Sequence, residues 1–275
     1  MHARGAPRIE DRIERGRARL LARGGEDAAA FEAYEDDRYR WLQTRDGTLH
    51  SMMDRRAPER LLLPYTAVMM AGLLFIHGPE TVLMPGLGGA SQARFLRHYF
   101  PDARITAWER DAGVVEIARR EFGLAGEGDG IRIVTDDARA MIDFDGPPAD
   151  LILLDLFGAG GMPAWTREAG IDKSCRRHLA RHGVLAANFW IDEDDEFLKT
   201  LNGVQKAFEE RTLLLAVPGY RNFIVLAFET PPRLDFAHLR ERAGELGERT
   251  GLDYAAFVAG MRESNYSDDA GFVLS

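Results

Sequence analysis

At 275 residues, 45% hydrophobic and 29% charged, the chain can bury a sizeable core in one large domain with appendages. Its net charge of −9 argues against a nucleic-acid backbone as the main partner. The single cysteine, Cys175, excludes an intramolecular disulfide and a cysteine-rich metal site. No apolar run is long enough to span a bilayer, the longest lying around Val68–Ile76. The N-terminus mixes arginine with glutamate and aspartate and has no apolar centre, which speaks against a secretory signal and fits a cytoplasmic location.

In chain order, residues 1–33 set Ile9, Ile13, Leu20 and Leu21 among alternating Arg and Glu/Asp. That pattern predicts an amphipathic helix ending at Gly24-Gly25. Asp46-Gly47 separates two β-prone runs, Tyr39–Gln43 and Thr48–Met52, and predicts a hairpin. Leu61–Phe75 reads as a mostly apolar helix leading into a sheet. From Thr81 onward, strands and helices alternate. The predicted strands are Thr81–Met84, Arg104–Glu109, Ile131–Val134, Asp150–Asp155, Val184–Phe189, Leu213–Val217 and Phe223–Phe228. The predicted helices are Ser91–Tyr99, Ala112–Phe122, Ala138–Ile142, Trp165–Leu179 and Glu196–Phe208, with one or two surface helices over 235–262. Cys175 falls within one of these helices and reads as an inert thiol.

The early strands lack in/out alternation, as expected of a sheet covered on both faces. The fold class is therefore α/β: a Rossmann-like seven-stranded sheet, parallel with an antiparallel edge hairpin, flanked by helices. A small N-terminal helix and β-hairpin region precedes it. The expected divisions are 1–75 for that region, 76–232 for the nucleotide-binding catalytic domain and 233–275 for a helical appendage and tail.

The chemistry concentrates at Val82–Ser91, where an apolar strand turns through Gly86, Gly88 and Gly89 into a helix. Closely spaced glycines let a backbone approach a nucleotide at the first strand–helix turn of such a sheet. Acids follow the next strands in turn: Glu109, then Asp136-Asp137, then Asp155. Ligands of open α/β sheets lie outside the carboxyl ends of the strands, so these acids should converge on one crevice. Glu109 suits the ribose diol, Asp137 (with Asp136) the exocyclic amine of adenine, and Asp155 the reactive end of the ligand. Structural roles stay open for each: Glu109 as a cap of the next helix, Asp136 or Asp137 as an N-cap, Asp155 as a solvated acid. Ser91 takes the place of the third glycine of a dinucleotide fingerprint, which disfavours NAD. Tyr65, Trp165, Trp190 and Tyr220 are aromatic candidates for a pocket near a sulfonium or ammonium, with core packing as the alternative. His178 and His182 meet no strong metal pattern, and no metal is expected.

Val82–Ser91, Ala107–Asp111, Thr135–Ala138, Leu151–Asp155 and His182–Leu185 together resemble the spermidine synthases, the polyamine aminopropyltransferases, over roughly residues 38–230. The resemblance implies a Rossmann-like catalytic domain behind a small β-domain, in a homodimer, binding S-adenosylmethionine or decarboxylated S-adenosylmethionine. It implies nucleotide contacts at Gly86, Gly88, Glu109 and Asp137, and Asp155 as the base toward a small amine-bearing substrate. His50 stands where the family has a hairpin glutamine. Gly89 and Gly158 stand where the family carries acids, so methyl transfer to a small molecule, or a non-catalytic nucleotide-binding module, remains an alternative to aminopropyl transfer.

Overall fold

The computed structural model describes residues 9–24, 31–124, 130–156, 170–190 and 194–274. Strands β1 (Arg19–Gly24), β2 (Phe31–Glu35), β3 (Tyr39–Thr44) and β4 (Leu49–Asp54) pair in sequence order as a four-stranded antiparallel sheet. The hairpin expected at Asp46-Gly47 joins β3 to β4. Gly47 takes a positive φ of 90°, and the Asp46 carboxylate accepts from the Thr48 N–H at 3.0 Å.

The helix expected over 1–33 does not form in its described part. Two short 3-10 turns, Ile9–Arg12 and Arg15–Arg17, lead into β1 instead. The alternating charges are used across strands rather than along a helix. Arg19 stands opposite Glu35 and Arg23 opposite Glu32, and each is an ion pair. Ile9 and Ile13 join Trp41 and Met52 in a cluster on one face of this sheet. Ala33, Leu42 and Met53 on the other face meet Val114, Ile117 and Phe122.

Pro64 opens α1 (Pro64–Met69), which passes into a 3-10 segment, Met70–Phe75, rather than the continuous helix expected from Leu61. There follow β5 (Thr81–Pro85), α2 (Ser91–Tyr99), β6 (Arg104–Trp108), α3 (Ala112–Glu121) and β7 (Ile131–Val134). A 3-10 segment, Ala138–Asp143, stands where a helix was expected and leads to β8 (Ala149–Leu154). Then come α4 (Ile171–His178), β9 (Leu179–Trp190), α5 (Asp194–Ala207), β10 (Thr212–Ala216) and β11 (Asn222–Phe228). Two helices, α6 (Phe236–Thr250) and α7 (Tyr254–Ser264), complete the described chain. The N-terminal half of the helix expected over Trp165–Leu179 lies outside the described residues.

The seven-stranded sheet runs β10-β11-β9-β8-β5-β6-β7. β8, β5, β6 and β7 are parallel neighbours, and β9 runs parallel to β8. β10 and β11 do form the expected antiparallel hairpin, but it folds inward. β11 inserts between β9 and β10 and is antiparallel to both. Successive residues of each central strand serve opposite faces. Leu151 and Leu153 of β8 belong to one core cluster with Met70, Leu73, Leu96, Leu239 and Met261. Ile152 and Leu154 belong to the other with Met141, Cys175, Leu201 and Val204. Burial pushes the Cys175 thiol far up, which suits an inert core residue. α6 and α7 each bury one face in the first cluster. No helix among the described residues is long and apolar enough to cross a membrane.

Candidate active site

The carboxyl edge of β8, β5, β6 and β7 gathers the predicted acids in a row. Asp155 follows β8, the glycine turn follows β5, Glu109 follows β6, and Asp136-Asp137 follow β7. Three inter-strand steps separate the ends of this row, a span of about 14 Å.

The glycine turn is built around close backbone approach. Gly86 has φ +98°, and a Cβ there would sit 2.1 Å from the Asp155 carbonyl oxygen. The Gly86 N–H donates to the Trp108 carbonyl at 3.0 Å and the Asp155 N–H to the Pro85 carbonyl at 3.1 Å, so the ends of β5, β6 and β8 are tied together. Gly88 has φ +51° and, like Gly86, is partly exposed. Gly89 is buried beneath β4: its N–H donates to the Ser51 hydroxyl at 2.8 Å, and its carbonyl accepts from the Arg94 guanidinium. A Cβ at Gly89 would lie 2.6 Å from the Ser51 Cβ.

Glu109 is half-buried and touches the turn, accepting from the Gly88 N–H at 3.3 Å and the Asp111 N–H at 3.1 Å. Burial pushes its carboxyl up against the pull of these backbone donors. The cap of α3 is Asp111, whose side chain accepts from Gly113 and Val114, so Glu109 is not the helix cap. Asp137 does act as an N-cap, for the 3-10 segment, and also holds Arg139 at 3.1 Å. Burial works to raise the Asp137 carboxyl, but the Arg139 bonds and the charge of Arg110 carry it below its ordinary value. Asp136 is exposed and accepts from the Asp137 N–H at 2.7 Å.

Asp155 is the focus of the row. Its Oδ1 accepts from the Asn188 Nδ2 at 2.9 Å, and the Asn188 Oδ1 accepts in turn from the Asn222 Nδ2 at 3.0 Å. Burial pushes the Asp155 carboxyl up from 3.8 to about 6, opposed by the donors on Asn188 and Tyr65. Tyr65 reaches this carboxylate from α1 and lies 3.3 Å from the His50 carbonyl, so its single O–H proton serves two acceptors. Burial, with the Asp155 charge second, holds the Tyr65 phenol well above its ordinary value. Tyr65 thus stands beside Asp155, whereas the His50 ring turns to an edge-on contact with Phe31 at 5.1 Å. Trp190 ends β9 with 41% of its surface exposed, and Tyr220 lies half-buried in the β10–β11 turn at the same edge. Trp165 and Gly158 lie outside the described residues.

Ser51, Arg94, Asn188 and Asn222 are the residues that sequence reasoning passed over. The available signal was Asn188 itself, an amide inside the apolar run Val184–Trp190, which must find a buried partner.

Across this frame, the curated polyamine aminopropyltransferase of Chromobacterium violaceum is 34% identical over 245 residues, covering 88% of this chain and 93% of that protein. The chain belongs to the polyamine aminopropyltransferase family. A second member, from Neisseria meningitidis, is 31% identical over 87% of this chain and 92% of its own length. The crystal structure of spermidine synthase from Thermotoga maritima shares the fold, with a TM-score of 0.65 and 17% identity over 88% of this chain and 84% of that one. No protein-family model matches the chain. The aminopropyltransferase sheet described above carries its row of acids outside the strand ends, where the general rule for open α/β sheets puts a ligand.

Proposed function

We propose that the chain transfers an alkyl group, aminopropyl in the first reading, from an S-adenosyl nucleotide to a small amine, with Asp155 as the base. Asp155 carries the proposal: a partly buried carboxylate at the end of β8, pinned by Asn188 and raised to about 6. At pH 7 such a group is ionised roughly ten to one, so it is free to accept a proton. Its raised value also makes it a stronger acceptor than an ordinary aspartate.

A nucleoside suits this edge because the turn carries no side chain at Gly86 and Gly88, and Glu109 keeps spare acceptor capacity beside it. In this reading Gly86, Gly88 and Gly89 form the backbone cradle, Glu109 accepts from the ribose hydroxyls, and Asp137 with Asp136 reads the adenine amine. When bound, the nucleotide supplies a carbon activated by its sulfonium leaving group. Asp155 removes a proton from the acceptor ammonium, which frees the nitrogen lone pair for attack. Tyr65, which meets the His50 carbonyl, orients the carboxylate, while Trp190 and Tyr220 border the acceptor side. Alignment of the reactants is the main contribution expected of the protein, because the leaving group is already good. The names of the curated relatives support this reading.

Gly89 favours a second reading, methyl transfer from S-adenosylmethionine. Ser51 closes the space where the resemblance leads one to expect an acid. The test is product formation from each donor with a panel of linear aliphatic mono- and diamines, using wild type and Asp155→Asn. Aminopropylated amine from wild type and none from Asp155→Asn supports the first reading. Methylated amine alone moves the assignment to the second, and wild-type turnover in Asp155→Asn removes the base role from both.

A further inference from the structure

The geometry points to Asn188, backed by Asn222, as a positioning residue that fixes which oxygen of Asp155 is bound by the protein and which faces the reacting amine. This rests on the base role proposed for Asp155 only for its catalytic consequence; the positioning itself is a property of the fold.

Asn188 is 1% exposed and Asn222 is 4% exposed. Their neighbours in the strands, Ala186, Ala187, Ile224 and Val225, are fully buried and apolar. Two primary amides in such surroundings are unfavourable unless each finds partners. They find each other and Asp155. An ionised carboxylate can only accept, so the end of the chain at Asp155 requires the NH2 of Asn188 to point toward it. The Asn188 oxygen must then face Asn222, which requires the NH2 of Asn222 to point back. One charge therefore sets the orientation of both amides.

The arrangement depends on strand placement. β8 and β9 run parallel with Leu154 opposite Ala187, so Asp155 and Asn188 follow one step further along each. Asn222 stands opposite Trp190 on the antiparallel β11, which makes it a diagonal neighbour of Asn188 on the same face. Ile224, directly opposite Asn188, has no polar group to offer. With Oδ1 held from the sheet by Asn188, the other oxygen is the one offered to the acceptor. The groups that act on the carboxyl from the packed elements are the Tyr65 phenol from α1 and the Asn188 amide from β9; among the described residues Tyr65 is the titratable one.

The experiment is a carboxyl titration by NMR of protein labelled with 13C at its aspartates. The Asp155 resonance is assigned by its loss in Asp155→Asn, and kcat against pH is recorded with the best wild-type amine. Removing one donor from a carboxylate raises its pKa by about one unit. Asn188→Leu, of similar volume, is expected to move the Asp155 titration and the acidic limb of kcat upward by that amount. Asn222→Leu is expected to move both in the same direction by less. Binding of S-adenosylhomocysteine should stay within about threefold of wild type in both variants, since a shift confined to the pH axis is what separates orientation from general damage. Should Asn188→Leu fail to fold, Asn222→Ser gives the same readout with a milder change. An unmoved Asp155 titration in both positions overturns the inference. So does a uniform fall in kcat at every pH with nucleotide binding weakened in parallel. If the resonance moves while Asp155→Asn retains wild-type turnover, positioning stands and the base role falls.

Discussion

Replacing Gly89 with alanine tests whether the glycine turn is shaped by β4 rather than by its own backbone. Gly89 does not need a positive φ, so alanine carries no dihedral penalty there. The obstacle is contact: the new Cβ would lie 2.6 Å from the Ser51 Cβ and 3.4 Å from a Phe122 ring carbon. Carbon atoms prefer about 3.5–4.0 Å. The overlap with Ser51 is therefore about 1 Å, against an atom fixed directly to the β4 backbone. Overpacking of this kind destabilises by about 1–3 kcal/mol. The partner substitution discriminates the cause. Ser51→Ala keeps the obstructing Cβ and removes the acceptor of the Gly89 N–H, at a further loss of about 1–3 kcal/mol. Ser51→Gly removes the same acceptor and also the Cβ. Urea unfolding of the singles and doubles gives the coupling energies. Gly89→Ala should recover about 1–3 kcal/mol when combined with Ser51→Gly and clearly less when combined with Ser51→Ala, which relieves only the 3.0 Å contact with the hydroxyl. Equal coupling for both partners, or coupling within about 0.5 kcal/mol of zero for Ser51→Gly, would refute the steric account.

At Gly86 no partner substitution can help, because the obstruction is the backbone carbonyl of Asp155 and φ is +98°. Gly86→Ala should lose about 1–2 kcal/mol from the dihedral alone and more from the overlap, and thermal unfolding should show it as the most damaging glycine change in the turn. Glu109→Ala should weaken binding of S-adenosyl nucleotides about ten- to a hundredfold by calorimetry, the loss expected for hydrogen bonds to a charged acceptor, with little change in stability. For pH, Asp155 holds its proton up to about 6 in the fold but only to 3.8 when unfolded. The native state therefore binds more protons between those values, and this group's contribution to stability falls as pH rises through that window. The difference in unfolding free energy between wild type and Asp155→Asn should change across that window and be flat above it. A difference that does not vary with pH would contradict the raised value.

The succession of strands and helices from Thr81 to Phe228 was legible in the sequence, because each element is a local pattern of apolar residues between glycines and acids. So was the order of the residues along the carboxyl edge. In a parallel sheet every strand delivers its following residue to the same edge, which brings Gly86, Glu109, Asp137 and Asp155 into one row. The hairpin at Asp46-Gly47 was legible for the same local reason. What the sequence did not disclose involves partners distant in the chain. Arg19 and Arg23 look like helix-surface charges until Glu35 and Glu32 are placed across from them. Ser51 is an ordinary strand serine until β4 lies over the glycine turn, 38 residues further on, and receives the Gly89 N–H. Asn188 and Asn222 acquire a purpose only because β11 turns inward beside β9, an order that hydrophobic periodicity does not encode. Sequence therefore fixed which residues reach the carboxyl edge, since that follows from strand direction. Only the tertiary structure decided how Asp155 is held there, since hydrogen bonds between side chains on separate strands depend on strand order and register.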